Sequence, residues 1–174
     1  MSDPLTIPLP GLTDPDRPLR FRLIKAGSFR MGQRGLSANE EPVHEVRVPA
    51  DFYMAETPIT QQQYRIIAGH CLAELQAIEG NPGVNPSRFP ENGNGNNHPV
   101  ESVNWDEARV ICRWLTNSGR LPSGYHASLP PESYWEYACR AGTETRFSFG
   151  DSERDLAQHG WFNENSGGTT HPVA

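Results

Sequence analysis

The chain has 174 residues, 36% of them hydrophobic, with 16 Gly and 16 Pro, which predicts one domain that is rich in loops. Fifteen Lys and Arg against 21 Asp and Glu give a net charge of −6, and this acidity argues against a nucleic-acid partner. The apolar runs fall far short of the ~20 residues that cross a bilayer, so we expect no membrane partner.

The N-terminal third is predicted to be a leader followed by antiparallel strands. Residues 1–18 are rich in Pro and Asp and indicate a flexible leader, which leaves 19–174 as the domain. Apolar stretches on both sides of Gly27 predict a hairpin or one bulged strand. Residues 43–48 alternate apolar and polar side chains, and 52–54 continue the pattern, as expected for half-buried strands. The short connections between these stretches favour antiparallel pairing.

Helices are predicted farther along the chain from their N-terminal capping signals. A Thr-to-Gln capping box at 60–63 predicts a helix over 61–68, and an Asn-to-Glu box at 104–107 predicts a second helix. A third helix is expected over 132–141. The apolar face of the second helix is predicted to contain five side chains: Trp105, Ala108, Ile111, Cys112 and Leu115.

The chain has three cysteines, Cys71, Cys112 and Cys139. Their spacing gives neither a disulfide framework nor a zinc finger, and their odd number favours a reducing compartment, so we expect a cytoplasmic protein. Cys112 and Cys139 fall on predicted apolar helix faces, where free cysteine packs as a small hydrophobic side chain. Cys71 follows the predicted end of a helix, so we expect it near the surface. The six histidines include no HxH or HExxH spacing, which argues against a metal site built from neighbouring histidines.

Three acidic residues, Glu101, Asp106 and Glu107, lie around the start of the second predicted helix. A cluster of this kind suits acid–base chemistry. Glu107, however, is the expected partner in the capping box, and Asp106 complements the positive end of the helix dipole. We therefore predict a structural role for the cluster and no catalytic residue in it.

Seven segments of the chain occur in the order found in one known family. Two of them read Pro-Val-Glu-Ser-Val-Asn-Trp-Asp-Glu-Ala at 99–108 and Leu-Pro-Pro-Glu-Ser-Tyr-Trp-Glu-Tyr-Ala at 129–138. The full set comprises 26–32, 41–54, 56–64, 98–108, 129–143, 149–151 and 163–173. In this succession the chain resembles the formylglycine-generating-enzyme family, also called sulfatase-modifying factors.

The resemblance implies an α+β fold of the irregular C-type-lectin-like kind, with short helices and antiparallel strands joined by long loops. Similar folds occur in the variable proteins of diversity-generating retroelements. Active members of the family convert a sulfatase cysteine to formylglycine, using oxygen and a copper ion that two cysteines hold. Those cysteines lie in a segment that follows the equivalent of Val173, so the resemblance implies that the C-terminal part of the fold is missing from residues 1–174.

One departure from the family concerns the start of the third helix. The family often has a Thr-Glu-Ala-Glu capping box there, whereas this chain has Pro131 and Tyr134 at the Thr and second Glu positions. We expect the side-chain cap to be lost, at a cost of about 1 kcal/mol. Proline at a helix start is a partial compensation.

For residues 1–174 we predict no catalytic residue and no resident cofactor, and a binding role with a protein as the partner. Long Gly- and Asn-rich loops on an aromatic scaffold suit recognition. In the family a further segment packs over Trp105, Trp135 and Tyr137, so we expect an apolar surface for a protein partner or a second copy of the chain. The alternative is that the chain is the N-terminal part of a copper-dependent oxidase, completed by sequence beyond residue 174.

The resemblance also implies one candidate metal ligand, Asn163. Related domains bind structural calcium through an Asn that follows an aromatic residue, and Asn163 follows Phe162. Glu164 and the carbonyl groups of 166–168 are the available additional oxygens. The alternative interpretation is that Asn and Gly serve the backbone geometry of a turn here.

Overall fold

The computed structural model describes residues 4–12, 18–35, 37–81, 83–89 and 97–173. Within these ranges the chain forms five β-strands: β1 (Leu5–Ile7), β2 (Leu19–Ile24), β3 (Gly27–Met31), β4 (His44–Val48) and β5 (Phe52–Ala55). It also forms four α-helices: α1 (Gln61–His70), α2 (Leu72–Gln76), α3 (Trp105–Asn117) and α4 (Glu132–Arg140). Short 3-10 helices occur at Ala38–Glu40 and Glu153–Gln158. The predicted α+β architecture of short helices and strands joined by long loops is confirmed.

The strands form two antiparallel sheets rather than one continuous hairpin. β2 lies between β1 and β5 in a three-stranded sheet, whereas β3 pairs with β4 alone in the described ranges. The prediction of a hairpin or bulged strand around Gly27 is therefore wrong, because β2 and β3 belong to different sheets. Asp51 lies at the break: its carboxylate accepts hydrogen bonds from the Ala26 backbone at 2.9 Å and from Lys25 Nζ at 2.8 Å. One side chain between β4 and β5 thus holds the crossing between β2 and β3.

The N-terminal segment packs into the fold. β1 pairs with β2 in antiparallel register, with Ile7 opposite Leu19. Ile7 is 2% exposed, and Leu9 joins it in the hydrophobic core. The expectation of a flexible leader is therefore wrong for residues 4–12. The apolar residues at 5, 7 and 9 alternate with polar or proline residues, which is the period of a strand.

The core lies where β1 and β2 meet helices α1 and α3. It contains Ile7, Leu9, Leu19, Tyr64, Ile67, Ala68, Cys71, Leu75, Val110, Ile111 and Leu115. The predicted capping box of α1 is present: the Gln63 backbone donates to Thr60 Oγ1 at 3.1 Å, and the Thr60 backbone donates to Gln63 Oε1 at 2.9 Å. Cys71, expected near the surface, is instead 5% exposed. Burial raises the pKa of its thiol to about 11, so Cys71 serves as a packed apolar side chain.

Helix α3 begins at the predicted capping box, and its buried face overlaps the predicted one at Ile111 and Leu115 but excludes Trp105. Its buried residues are Glu107, Val110, Ile111 and Leu115, whereas Trp105 is 63% exposed. The Glu107 carboxylate accepts from the Asn104 backbone at 2.8 Å and from Asn81 Nδ2 at 2.7 Å. With its hydrogen bonds satisfied, the Glu107 carboxylate can face the interior, and Trp105, two residues earlier on the helix, faces outward.

Helix α4 is attached to β3 by a polar network and one aromatic contact. Glu136 Oε1 accepts from the Gly32 backbone at 2.9 Å and from Arg140 Nε at 2.8 Å. Arg140 in turn donates to the Gly32 carbonyl at 3.0 Å. The rings of Phe29 and Tyr137 lie 5.3 Å apart. Among the described residues no side chain caps the start of α4 at Pro131, as the sequence predicts.

The last described segment returns to the loop that precedes α3. The Val173 backbone donates to the Asn97 carbonyl at 2.8 Å, and His98 Nδ1 lies 3.0 Å from Thr170 Oγ1. The Gln61 backbone donates to the His98 carbonyl at 2.8 Å, which places this junction at the start of α1. In the ranges that the structure describes, no helix is both long and apolar enough to span a bilayer.

Candidate binding surface

A groove of about 500 Å³ lies beside the outward face of α3. One wall is the helix itself, and the other is the segment 126–131 that leads into α4. The side chains that give the groove its chemistry are Trp105, Arg109, Arg113, His126, Leu129 and Pro131. Trp105, Arg109 and Arg113 lie on the solvent side of the helix, opposite the buried Glu107.

Hydrogen bonds fix the second wall to the helix. The Ala127 backbone donates to Thr116 Oγ1 at 2.9 Å, while the Thr116 hydroxyl donates to the Cys112 carbonyl at 3.0 Å. Thr116 therefore uses one hydroxyl group to join the last turns of α3 to the chain that faces it. A wall held in this way keeps its geometry before any partner arrives, which lowers the entropic cost of binding.

Trp105 and Arg109 form a preassembled pair at one end of the groove. The guanidinium carbon of Arg109 lies 4.5 Å from the centre of the Trp105 ring, which is cation–π geometry. Asp106 lies 3.8 Å from the same guanidinium, at the long end of the range for an ion pair. The indole thus stays 63% exposed while its orientation is restrained.

A second exposed tryptophan lies on α4, outside the lining of the groove. Leu129 is exposed on the wall, and Trp135, one turn beyond Pro131, is 58% exposed. Tyr137, which we expected to belong to this surface, does not: it is only partly exposed and packs against Phe29 on β3. Of the three aromatic residues expected at an apolar surface, Trp105 and Trp135 are therefore exposed and Tyr137 is not.

The ionisable side chains that line the groove are basic, although the whole chain carries a net charge of −6. Arg109 and Arg113 line it together with His126, and among the described residues no carboxylate does. Arg113 forms an ion pair with Glu74 at 2.9 Å, and both side chains of that pair are about half exposed. The lining of the groove is therefore basic, while the carboxylates that pair with its two arginines, Asp106 and Glu74, lie just outside it.

The glutamates of the acidic cluster around the start of α3 have structural roles. Glu101 accepts from the Phe89 backbone at 3.2 Å and from the Ser102 hydroxyl at 2.7 Å. Partial burial acts to raise the pKa of Glu101, but the hydrogen bonds from Ser102 and from neighbouring backbone groups outweigh it and hold the pKa below its usual range. An ionised carboxylate with this many donors holds a loop in place and is a poor general acid. Glu107 completes the cap of α3, as predicted.

The three cysteines lie in three different environments. Cys71 is in the core, where its thiol lies 3.3 Å from the Ile67 carbonyl. Cys112 lines the groove and is half-buried, and burial raises its pKa. Cys139 is exposed on α4. A copper(I) site of the family's kind needs two thiolates that face one ion, and these three cysteines do not fit that requirement.

Asn163 lies exposed in the turn that follows Trp161. The side chain that closes this turn belongs to Asn165, whose Oδ1 accepts from the Phe162 backbone at 2.7 Å and whose Nδ2 donates to the Gly160 carbonyl at 3.0 Å. Over the described ranges there is no group of three or more His, Cys, Asp or Glu that could hold a metal ion. Calcium at Asn163 would depend on amide and carbonyl oxygens, and it stays a prediction.

Solved structures of similar shape define the class of fold. Treponema denticola variable protein 1 superposes with a TM-score of 0.73 at 22% identity, over 99% of this chain and 69% of its own. PvdO from Pseudomonas aeruginosa gives a TM-score of 0.57 at 23% identity, over 88% and 57% of the two chains. The chain therefore has the C-type-lectin-like fold that formylglycine-generating enzymes share.

The family follows from the sequence match. Residues 14–174 match the sulfatase-modifying factor enzyme 1-like domain, and the chain belongs to that family. The formylglycine-generating enzyme of Mycobacterium tuberculosis is 26% identical in an alignment 174 positions long, which covers 75% of this chain and 54% of that protein. The corresponding enzyme of Streptomyces coelicolor is 28% identical in an alignment 166 positions long, which covers 74% of this chain and 49% of that protein. The chain thus spans about half the length of these curated relatives.

Proposed function

We propose that residues 1–174 act as a protein-binding module of the sulfatase-modifying factor family and do not by themselves catalyse oxidation. The observation that carries the proposal is the groove beside α3, where Trp105 and Leu129 are exposed on walls that Thr116 and Ala127 hold together. Tryptophan and arginine are the residue types most enriched at the energetic centres of protein interfaces. A fixed apolar groove with arginines on its rim has the composition expected of such a centre.

The non-catalytic part of the proposal is supported by the surroundings of the cysteines. The buried thiol of Cys71 has a pKa of about 11 and is protonated at neutral pH. Cys112 and Cys139 lie on different helices, one half-buried and one exposed. Neither arrangement supplies the pair of convergent thiolates that copper-dependent oxidation in this family requires.

A second candidate function is favoured by the curated relatives. They are formylglycine-generating enzymes, and this chain spans about half of their length. Residues 1–174 would then form the scaffold half of a copper-dependent oxidase, and the copper-binding cysteines would come from sequence outside them. In that case the groove beside α3 would be covered by the remainder of the same domain.

The binding proposal is tested with a displayed library of random peptides selected against the purified chain. We expect enriched peptides that bind the wild type and are lost with Trp105→Ala. Trp161→Ala is the matched control, because Trp161 is 62% exposed but does not line the groove. Failure to enrich any peptide, or equal loss with both variants, would contradict binding at this groove.

Oxygen consumption separates the two candidate functions. The purified 174-residue chain is incubated with copper and a cysteine peptide of the sulfatase type, and we expect no turnover above the rate of free copper. Turnover that disappears when Cys112 and Cys139 are both changed to Ser would show that the chain is an oxidase after all. If turnover requires a longer protein that contains residues 1–174 and two further cysteines, the scaffold-half alternative is favoured.

A further inference from the structure

We propose that the groove beside α3 selects an extended peptide segment with one large apolar residue and two acidic residues at alternate positions. The inference deepens the proposed protein-binding function and rests on it. Trp105, Arg109 and Arg113 provide the three recognition elements, in that order along the helix.

The spacing of these three side chains sets the pattern. Residues four apart on a helix lie on the same face, about 6 Å apart along its axis. In an extended peptide, side chains two apart point to the same side at a spacing of about 6.6 Å. A strand laid along α3 therefore places alternate side chains over Trp105, Arg109 and Arg113. The apolar side chain meets the indole and Leu129, and a carboxylate meets each guanidinium.

The charges of the groove select acidic side chains at the second and third positions. Arg109 and Arg113 line the groove with His126, and no carboxylate among the described residues lines it with them. Each guanidinium has five N–H donors in a planar fork that matches a carboxylate. A basic peptide would meet like charges, whereas an acidic one completes charge-assisted hydrogen bonds.

The arginines keep donors available for such a partner. Arg109 is 3.8 Å from its neighbour Asp106, and Arg113 pairs with Glu74 through NH1 at 2.9 Å. All four side chains are at least half exposed, and exposed pairs of this kind contribute little to stability. A partner's carboxylate can share or replace these contacts at small cost. Arg109 lines the groove while its guanidinium carbon lies 4.5 Å from the centre of the Trp105 ring.

The test measures fluorescence anisotropy with three labelled peptides. The first has Leu, Glu and Glu at alternate positions separated by Ser, and the other two replace both Glu with Gln or with Lys. We expect the Glu peptide to bind about two- to fivefold more tightly than the Gln peptide, because each exposed ion pair that it forms with an arginine contributes little. The Lys peptide should bind most weakly. Added salt should reduce the difference between the Glu and Gln peptides.

Variants identify the groups responsible. Arg109→Gln with Arg113→Gln should remove the preference for Glu over Gln, and Trp105→Ala should weaken both peptides. Arg47→Gln is the matched control, because Arg47 is exposed on β4 and does not line the groove. Melting curves of each variant confirm that it is folded.

Each outcome decides the proposal. Equal binding of the Glu and Gln peptides, or a preference that survives loss of both arginines, would overturn the acidic selection and leave protein binding at the groove intact. A fourth peptide, in which the two Glu are adjacent, tests the pattern. Binding as tight as that of the alternating Glu peptide would overturn the extended-strand pattern. Absence of binding by all three peptides would overturn the inference, and the separate library selection then shows whether the proposed function fails with it.

Discussion

Gly32 lies at the end of β3 in a conformation that L-residues with side chains rarely adopt. Its φ is +90°, and a Cβ atom there would overlap the Glu40 carbonyl oxygen. Gly32→Ala should therefore lower the free energy of unfolding by about 2–4 kcal/mol, from backbone strain and the overlap together. The measurement is urea denaturation of the purified chain.

Gly35 is the matched control for this substitution. Its φ is +79°, but nothing lies within 4 Å of the position a Cβ would take. Gly35→Ala should then lower the free energy of unfolding by only about 1–2 kcal/mol, the cost of a left-handed backbone for a residue with a Cβ atom. Equal losses in the two variants would show that the backbone near Glu40 relaxes and that close packing does not require glycine at position 32.

Glu107 is a buried carboxylate that holds two partners at once. It is 2% exposed and accepts from the Asn104 backbone and from Asn81 Nδ2. Glu107→Gln keeps the size but turns one acceptor into a donor. Asn81 cannot rotate its amide to compensate, because its Oδ1 already accepts from the Gly83 backbone at 2.8 Å. We expect a loss of about 1–3 kcal/mol, the cost of an unsatisfied buried polar group.

Thermal or chemical denaturation gives the measurement for Glu107→Gln. Asp106→Asn is the control, because Asp106 is exposed in the same helical turn and its charge contributes about 0.3–1 kcal/mol through the helix dipole. A loss for Glu107→Gln no larger than that of the control would mean that Asn81 and Asn104 find other acceptors.

At the scale of elements, α4 begins without a side-chain cap. Pro131 occupies the N-cap position with φ −57° and ψ 151°, an extended backbone that threonine also adopts. Pro131→Thr supplies a hydroxyl for the free backbone donors of the first turn, a gain of about 1 kcal/mol. Loss of proline's restriction on the unfolded chain offsets part of that gain, by about 0.4–1 kcal/mol.

Comparison with Pro130→Thr isolates the cap. Pro130 precedes the N-cap, so its replacement loses the same restriction and gains no hydrogen bond. Pro131→Thr should be the more stable variant by about 1 kcal/mol in denaturant titrations. If the two variants have equal stability, the first turn of α4 is already satisfied by water.

The same elements show which features of the fold can be predicted from the sequence. Both capping boxes predict their helices correctly because a cap is made by residues three apart in the chain. The buried face of α3 is predicted wrongly at Trp105, which hydrophobicity alone places inward. The burial of Glu107 instead depends on Asn81, a partner far away in sequence. The contacts of Asp51 across the break between β2 and β3 are likewise non-local.

The candidate groove is only partly visible in the sequence. Trp105 and Trp135 are expected at an apolar surface through the family resemblance, and both are exposed. The second wall of the groove depends on the contact between Thr116 and Ala127, and a single threonine in a helix gives no signal of it. The prediction for Tyr137 is wrong because its packing partner, Phe29, lies on a strand that is distant in sequence.

At the scale of the whole molecule, the exposed tryptophans predict association. Trp105, Trp135 and Trp161 are each about 60% exposed, and exposed apolar side chains mark an interface where they lie in one contiguous patch. We expect size-exclusion chromatography with light scattering to show a mass that rises with protein concentration. Trp105→Ser with Trp135→Ser should reduce that rise. A monodisperse wild-type monomer that melts cooperatively would contradict the prediction.

The placement of the indoles also decides what fluorescence can report. All four tryptophans lie in the described ranges, and three of them face water, while Trp114 is partly buried and stacks on His70 with 5.3 Å between ring centres. The native emission is therefore dominated by solvated indoles, whose surroundings change little when the chain unfolds. Blue-shifted emission should instead accompany any event that covers the surface. Intrinsic fluorescence of this protein will follow docking more faithfully than folding.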